Sequence, residues 1–274
     1  MSTSPSERVA RLHEERELAE GFGENAAGYD RSRPGYPSAL IERVVAGSRG
    51  PELLDVGCGT GIASRLFQRA GCRVLGLEVD PRMAAVARQS GIDVEVGRFE
   101  DWDPGGRVFD TVVAAQAWHW IDPVMGAAKT AQVLRAGGLV AVFWNAADIP
   151  GDLRRVFAEV YRRVLPGSPV AELYSRPGSV ADAYGAFLDK AAEGLAQTEA
   201  FGAPERWRYD WEHCYTRDEW LDQVATHGGA NWIPPNKRKE LLDGLARAID
   251  AAGGGFTMSY ATVAAAAASS SGVR

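Results

Sequence analysis

The chain has 274 residues, 46% of them hydrophobic, with a formal charge of -6. Those figures suit a single α/β core with a cap, and the lack of a basic stripe argues against a tRNA, rRNA or DNA partner. No apolar run approaches membrane-spanning length and no secretory hydrophobic region is seen, so no membrane partner and a cytoplasmic location are expected. Cys58, Cys72 and Cys214 lack C-x-x-C spacing, and His13, His119, His213 and His227 do not pair with acids at ligand spacing. No metal is expected.

In chain order, residues 2–8 are Ser-rich, and Val9 to Glu20 form a charged helical pattern. The stretch from Phe22 to Pro37 follows. Pro34, Gly35 and Pro37 interrupt helices on both sides, so this segment is read as a hinge-like loop able to exclude water from a site. Leu53, Leu54 and Val56 then have the character of a buried parallel strand, and Ile62 to Ala70 the spacing of a helix. Between them lie Asp55, Gly57, Cys58, Gly59 and Gly61. Glycines at such a turn permit positive φ and close approach of a ligand to main chain, while the next helix opens with outward N–H groups. This is a nucleotide-type cofactor seat.

The spacing narrows the cofactor. A dinucleotide fingerprint needs a third glycine at position 62, where this chain has Ile62, and no Lys-Ser or Lys-Thr pair signals a Walker loop. The D-x-G-x-G-x-G turn resembles motif I of the class I S-adenosylmethionine-dependent methyltransferases. That resemblance implies a Rossmann-like, doubly wound α/β sheet of seven strands in the order 3-2-1-4-5-7-6, the last antiparallel. It implies S-adenosylmethionine as the cofactor, with S-adenosylhomocysteine as the product.

The second strand candidate, Arg73 to Leu77, ends at Glu78 and Val79, where a carboxylate is placed to accept from ribose hydroxyls. Asp80 competes for that role, but Pro81 opens the next helix (81 to 90) and makes Asp80 its N-cap. A third strand, Asp93 to Val96, leads to Phe99 and Glu100. By the resemblance these take the adenine ring and its exocyclic amine; the alternative is a polar loop anchored by one aromatic. The fourth strand, Phe109 to Ala115, runs into Gln116 and Trp118-His119-Trp120, beyond the strand ends where open α/β sheets bind ligands.

By the resemblance, main chain at Ala115 and Gln116 lies against the methionine part of the cofactor. The string AQAWHW, with FGENAAGYDRSRPGYP upstream, resembles a small-molecule branch that includes trans-aconitate methyltransferases and embryo-abundant-protein relatives. On that match Tyr29 approaches the sulfonium, and Arg33 meets the cofactor's carboxylate or an acidic acceptor. A plain connector is the alternative for both. His119 is a candidate base or acceptor ligand, against a core histidine satisfied by a carbonyl. Trp118 and Trp120 either line the acceptor pocket or pack, at least one of them in the core. Asn145, ending a fifth strand (Leu139 to Trp144) that follows a helix terminated by Gly137 and Gly138, joins the substrate-side candidates.

Gly151 to Leu165 is a helix with Val156, Phe157, Val160 and Val164 on one side and Arg154, Arg155, Arg162 and Arg163 on a solvated face. A second helical pattern spans 180 to 194, and both are expected to roof the acceptor site. Two strands, Arg206 to Tyr215 and Phe256 to Ala264, complete the sheet. The expected divisions are an N-terminal helix and lid (1–36), a cofactor-binding core (37–148), a helical cap (149–205), the C-terminal part of the core (206–264) and a disordered tail (265–274). The expected reaction is methyl transfer by in-line displacement to a small-molecule acceptor, with carboxylate or hydroxyl oxygen favoured and nitrogen or carbon also open. A homodimer is left open. The competing readings are a nicotinamide-dependent oxidoreductase and a non-catalytic S-adenosylmethionine-binding protein.

Overall fold

The computed structural model describes residues 21–175, 180–226 and 233–270. The expected N-terminal helix from Val9 to Glu20, His13, His227 and the last residues of the tail lie outside them. A single sheet runs β3-β2-β1-β4-β5-β7-β6. Its strands are β1 (Glu52–Val56), β2 (Arg73–Glu78), β3 (Asp93–Val96), β4 (Phe109–Ala115), β5 (Leu134–Asp148), β6 (Glu205–Thr216) and β7 (Gly255–Ala268). The first five are mutually parallel, and β7 lies antiparallel between β5 and β6. This is the expected seven-strand order.

Helices α1 (Ala26–Ser32), α2 (Ser38–Gly47), α3 (Ile62–Arg69), α4 (Pro81–Gln89), α5 (Pro123–Val133), α6 (Gly151–Val164), α7 (Pro169–Ser175), α8 (Val180–Ala196), α9 (Arg217–Ala225) and α10 (Pro235–Ala251) flank it. The central strands are buried on both faces, hence their continuous apolar runs. One core joins Leu54, Val112, Val142 and Trp144 to Leu188 and Leu195 of α8. A second, on the other face, joins Phe67, Leu40, Val113 and Phe143.

Four expectations change. The segment from Phe22 to Pro37 is a loop only from Arg33 onward. Gly21–Asn25 form a 3-10 turn, and α1 begins where the Asn25 side chain accepts from the Gly28 N–H at 3.0 Å. Tyr29 therefore stands on a helix. Second, β5 starts at Leu134, before Gly137, whose φ of 70° bends the strand instead of ending a helix.

Third, the expected disordered tail from Ala265 is strand as far as Ala268. Ala265 pairs with Val142 on one side and Arg206 on the other, and Ala268 pairs with Leu139. A strand hydrogen-bonded on both sides and packed under helices needs small side chains more than high β-propensity. Fourth, Val156 of α6 is 40% exposed, while Leu153, Phe157, Val160, Tyr161 and Val164 form the buried face. That face packs on α10 and joins a third core with Trp220, Leu241, Leu245 and Met258. It does not roof the site.

Candidate active site

Beyond the carboxyl ends of β1, β2 and β4 lies a cavity of about 480 Å³, within the range of small-ligand sites. Its floor is the turn between β1 and α3. Gly57, Gly59 and Gly61 have φ of 67°, 58° and 84°, a left-handed run that only glycine tolerates without strain. A Cβ on Gly57 would fall 2.5 Å from Cβ of Ala117, so the turn and the loop after β4 touch across a gap that admits no side chain. Gly61 is on the far side of the turn, away from the cavity, where a Cβ would crowd Ala87 and Ile92. Cys58 fills the space above Gly76 of β2, its thiol pushed up by burial.

Two acids serve this turn from different sides. Glu78 is on the cavity wall. Its Oε2 accepts from the Gly59 N–H at 2.8 Å and its Oε1 from the Asp80 N–H at 3.0 Å, and burial raises its pKa against those two bonds. Asp80 caps α4, accepting from the Arg82 N–H at 2.8 Å. Asp55 does not line the cavity. It is wholly buried behind the turn, with Oδ2 accepting from the Ser64 hydroxyl at 2.5 Å and Oδ1 unpartnered. Burial lifts its pKa to about 7.

Phe99 is 3% exposed and faces both the core and the cavity; Val79 and Glu100 stand on the same wall, with Glu100 Oε1 near the Asp122 N–H at 3.4 Å. Ala115 and Gln116 line the floor beside the turn. Gln116 has φ of 55°, a left-handed non-glycine at the mouth of the sheet, where such strain is retained by its surroundings.

The tryptophan pair separates. Trp118 is 2% exposed in the core, whereas Trp120 and His119 line the cavity. The His119 ring lies between Trp120 and Phe187, at centroid distances of 4.6 and 5.0 Å, and its Nδ1 accepts from the Trp144 indole N–H at 3.1 Å. Indole nitrogen only donates, so Nδ1 carries no proton and the neutral ring holds its proton on Nε2. Desolvation pushes its pKa down to about 4.

Asn145 lines the cavity, but its amide is engaged at both ends. Nδ2 donates to the Gly35 carbonyl at 2.9 Å and Oδ1 accepts from Thr262 Oγ1 at 2.7 Å. It fastens the loop after α1 to the sheet, which turns the expected substrate contact into a structural one. Tyr29 and Arg33 both line the cavity, the guanidinium 4.8 Å from the Tyr29 ring centroid and donating to the Thr226 carbonyl at 3.3 Å.

Further cavity residues were not singled out in the sequence. Thr60 Oγ1 is buried and unpartnered among the described residues; Tyr36 packs edge-on to Phe143; Tyr184 comes from α8, Gln223 from α9 and Tyr260 from β7. Of the cap helices only α8 reaches the cavity, and α9, which follows β6, supplies the rest of the roof. The Tyr260 hydroxyl lies 2.7 Å from that of Tyr215, and Gln223 Oε1 is buried without a partner among the described residues. Thr60 lay inside the glycine turn and Tyr36 inside the stretch from Phe22 to Pro37, whereas Tyr184, Gln223 and Tyr260 lay in no motif.

The wall thus offers a carboxylate beside the turn, an apolar slot at Phe99, a side-chain-free gap at Gly57 and an unpartnered hydroxyl at Thr60. These fit an adenosyl amino-acid cofactor. Fold and cradle together define the class I S-adenosylmethionine-dependent methyltransferases, and the chain belongs to them. Residues 54–142 match the methyltransferase domain family. A Mycobacterium bovis methyltransferase without an assigned substrate is 29% identical over 232 residues, 83% of this chain and 85% of that one.

Trans-aconitate 2-methyltransferase of Mycobacterium tuberculosis is 31% identical over 145 residues, 52% of each chain. Among solved structures, a Haemonchus contortus phosphoethanolamine N-methyltransferase, bound to phosphomonomethylethanolamine and S-adenosylhomocysteine, superposes with a TM-score of 0.50. It is 15% identical to this chain and covers 98% of this chain and 61% of that one. A chain from a study of echinomycin biosynthesis gives 0.52 at 17% identity, covering 88% and 84%. Among the described residues no helix is long and apolar enough to cross a membrane.

Proposed function

We propose that this methyltransferase acts on a carboxylate oxygen of a small acidic acceptor and needs no general base. The observation that carries the reading is the Trp144 indole bond to His119 Nδ1. It occupies the nitrogen that would have to take a proton, and burial keeps the ring neutral. What remains is a fixed Nε2–H, a donor suited to holding an acceptor oxygen. A hydroxyl or ammonium acceptor must lose a proton during transfer and wants a base within reach; a carboxylate is already ionised. Arg33 adds a cation on the same wall, and the half-length likeness to trans-aconitate 2-methyltransferase, by its name an enzyme acting on a carboxylic acid, points the same way.

Bound in the cradle, the sulfonium would supply an electrophilic methyl group. The chain's part is alignment and exclusion of water. Glu78 would hold the ribose hydroxyls, with Gly57, Cys58, Gly59, Ala115 and Gln116 giving main chain to the methionine portion, while Gly61 shapes the turn from its far side and Asp55 fixes it from behind through Ser64. Phe99, with Val79 and Glu100, would flank the adenine. Tyr29 and the loop from Arg33 would close over the reacting atoms, while His119 and Trp120 face the acceptor.

The test is tritium transfer from labelled cofactor to a panel of di- and tricarboxylic acids and their hydroxylated or aminated relatives. Methyl esters release labelled methanol in mild alkali, and ethers or N-methyl products do not. Alkali-stable label as the main product would overturn the carboxylate assignment while leaving the methyltransferase intact.

A further inference from the structure

The outer edge of the sheet carries a charge pattern that complements itself. β6 is the terminal strand, and among the described residues its one sheet partner is β7. It runs from Glu205 to Thr216, twelve residues whose outward N–H and C=O groups form a template for another strand. One side of it is exposed along its length, and the charges there, in order, are Arg206, Arg208, Asp210 and Glu212. Two cations precede two anions.

Charges on an edge strand either repel every comer or select one. Laid antiparallel against a second copy with Tyr209 facing Tyr209, this strand sets Arg208 of each copy opposite Asp210 of the other, and Arg206 opposite Glu212. On the other side Trp207 meets Trp211 and Glu205 meets His213. Sliding by two residues one way brings Asp210 against Asp210, and the other way Arg208 against Arg208. An in-register parallel pairing sets every charge against its like. Of these arrangements only the one centred on Tyr209 has no like-charge contact, and like charges directly opposite are destabilising.

We propose that β6 is the docking edge for a second copy of this chain, joined antiparallel about a twofold axis at Tyr209, so that the two sheets become continuous. Such an interface is isologous, as closed dimers are. Main-chain hydrogen bonds hold the edges together, and the charges fix the register. In the single chain Arg208 already meets Asp210 at 2.8 Å and Arg206 meets Asp189 of α8 at 2.7 Å. These pairs are exposed and contribute little to stability, so sharing the same side chains across the axis costs little. Tyr209 and Trp207 are held from behind by the core beneath α2, and the Arg43 guanidinium lies 4.2 Å over the Trp207 ring.

The experiment is sedimentation velocity on the full chain across a concentration series reaching about 100 μM, which detects association with a Kd of about 100 μM or tighter. The expected species has twice the 29.5 kDa chain mass. Arg208→Asp alone and Asp210→Arg alone should each weaken association by about tenfold or more, since each sets like charges opposite one another, and the double swap should restore it. Tyr209→Cys in a Cys214→Ser background should form a disulfide-linked dimer on oxidation, because residues opposite each other in an antiparallel pair have Cα atoms about 4.5 to 5.5 Å apart. S-adenosylhomocysteine binding and the melting temperature report that each variant is folded. A wild-type chain that stays monomeric, single variants that dimerise as wild type does, or a Tyr209→Cys chain that does not cross-link would overturn the proposal.

Discussion

The two halves of the cavity are built on different principles. The half proposed for the cofactor uses main chain: three left-handed glycines within five residues, a gap between Gly57 and Ala117, and one carboxylate on two N–H groups. The half proposed for the acceptor uses side chains from separate segments: Arg33 from the loop after α1, His119 and Trp120 after β4, Tyr184 from α8, Gln223 from α9 and Tyr260 from β7. A main-chain cradle tolerates few changes, because its shape depends on residues with no side chain at all. A side-chain pocket can be re-lined one position at a time, so acceptor choice can vary while the cofactor seat stays fixed.

The largest contrast should come from Gly57→Ala. Its Cβ meets Ala117 at 2.5 Å in a conformation with φ of 67°, so S-adenosylhomocysteine affinity should fall about a hundredfold or more by calorimetry, with a strain of about 1 to 3 kcal/mol in stability. Glu78→Ala comes next, through loss of the acceptor that ties Gly59 and Asp80. We expect cofactor affinity to drop about ten- to a hundredfold, with Glu78→Gln recovering part of it. Equal tolerance of both variants would break the division between the halves.

On the acceptor side, Arg33→Gln should raise KM for an acidic acceptor about tenfold and leave S-adenosylhomocysteine affinity within about twofold. The reverse split would assign Arg33 to the cofactor. His119→Asn should lower kcat by about tenfold or less, and the wild-type rate should show no limb near pH 6.5, since a ring already neutral has nothing to titrate there. A thousandfold loss, with a limb at that pH, would instead identify a base.

The smallest effect is on stability against pH. Because the folded pKa of His119, about 4, lies below the unfolded value near 6.5, the unfolded chain binds the extra proton between them. Its contribution is complete above that interval and is lost as the pH falls through it. Asp55 acts with the opposite sign: a folded pKa of about 7 makes its contribution full at low pH and lost as the pH rises through neutrality. Melting curves of His119→Asn and Asp55→Asn over pH 4 to 8 should therefore diverge from wild type in opposite directions.

What could be read from the sequence follows the same division. The glycine turn and Glu78 were legible because main-chain recognition needs particular residues at fixed local spacing, while the seven-strand order came from the family resemblance that the turn carries. Gln223 and Tyr260 were not, since nothing local distinguishes them from other helix and strand residues, and they become cavity walls only through tertiary packing. The role of Asn145 depended on Gly35 and Thr262, partners 110 and 117 residues away in the chain. The polyalanine end of β7 looked too plain to order itself. Its order comes from strands on both sides, information carried by β5 and β6 instead of by the alanines.

The amide of Asn145 continues into a relay. Thr262 Oγ1, which donates to it, itself accepts from the Trp211 indole of β6 at 2.8 Å, so a line of polar contacts runs from the Gly35 carbonyl across the sheet to its rim. The segment that carries Arg33 is pinned at that carbonyl, and again where Arg33 donates to the Thr226 carbonyl and Ser32 meets the Thr226 hydroxyl. A tug on the rim strand would reach the pin through three side chains, giving the far border of the molecule a mechanical hold on its entrance.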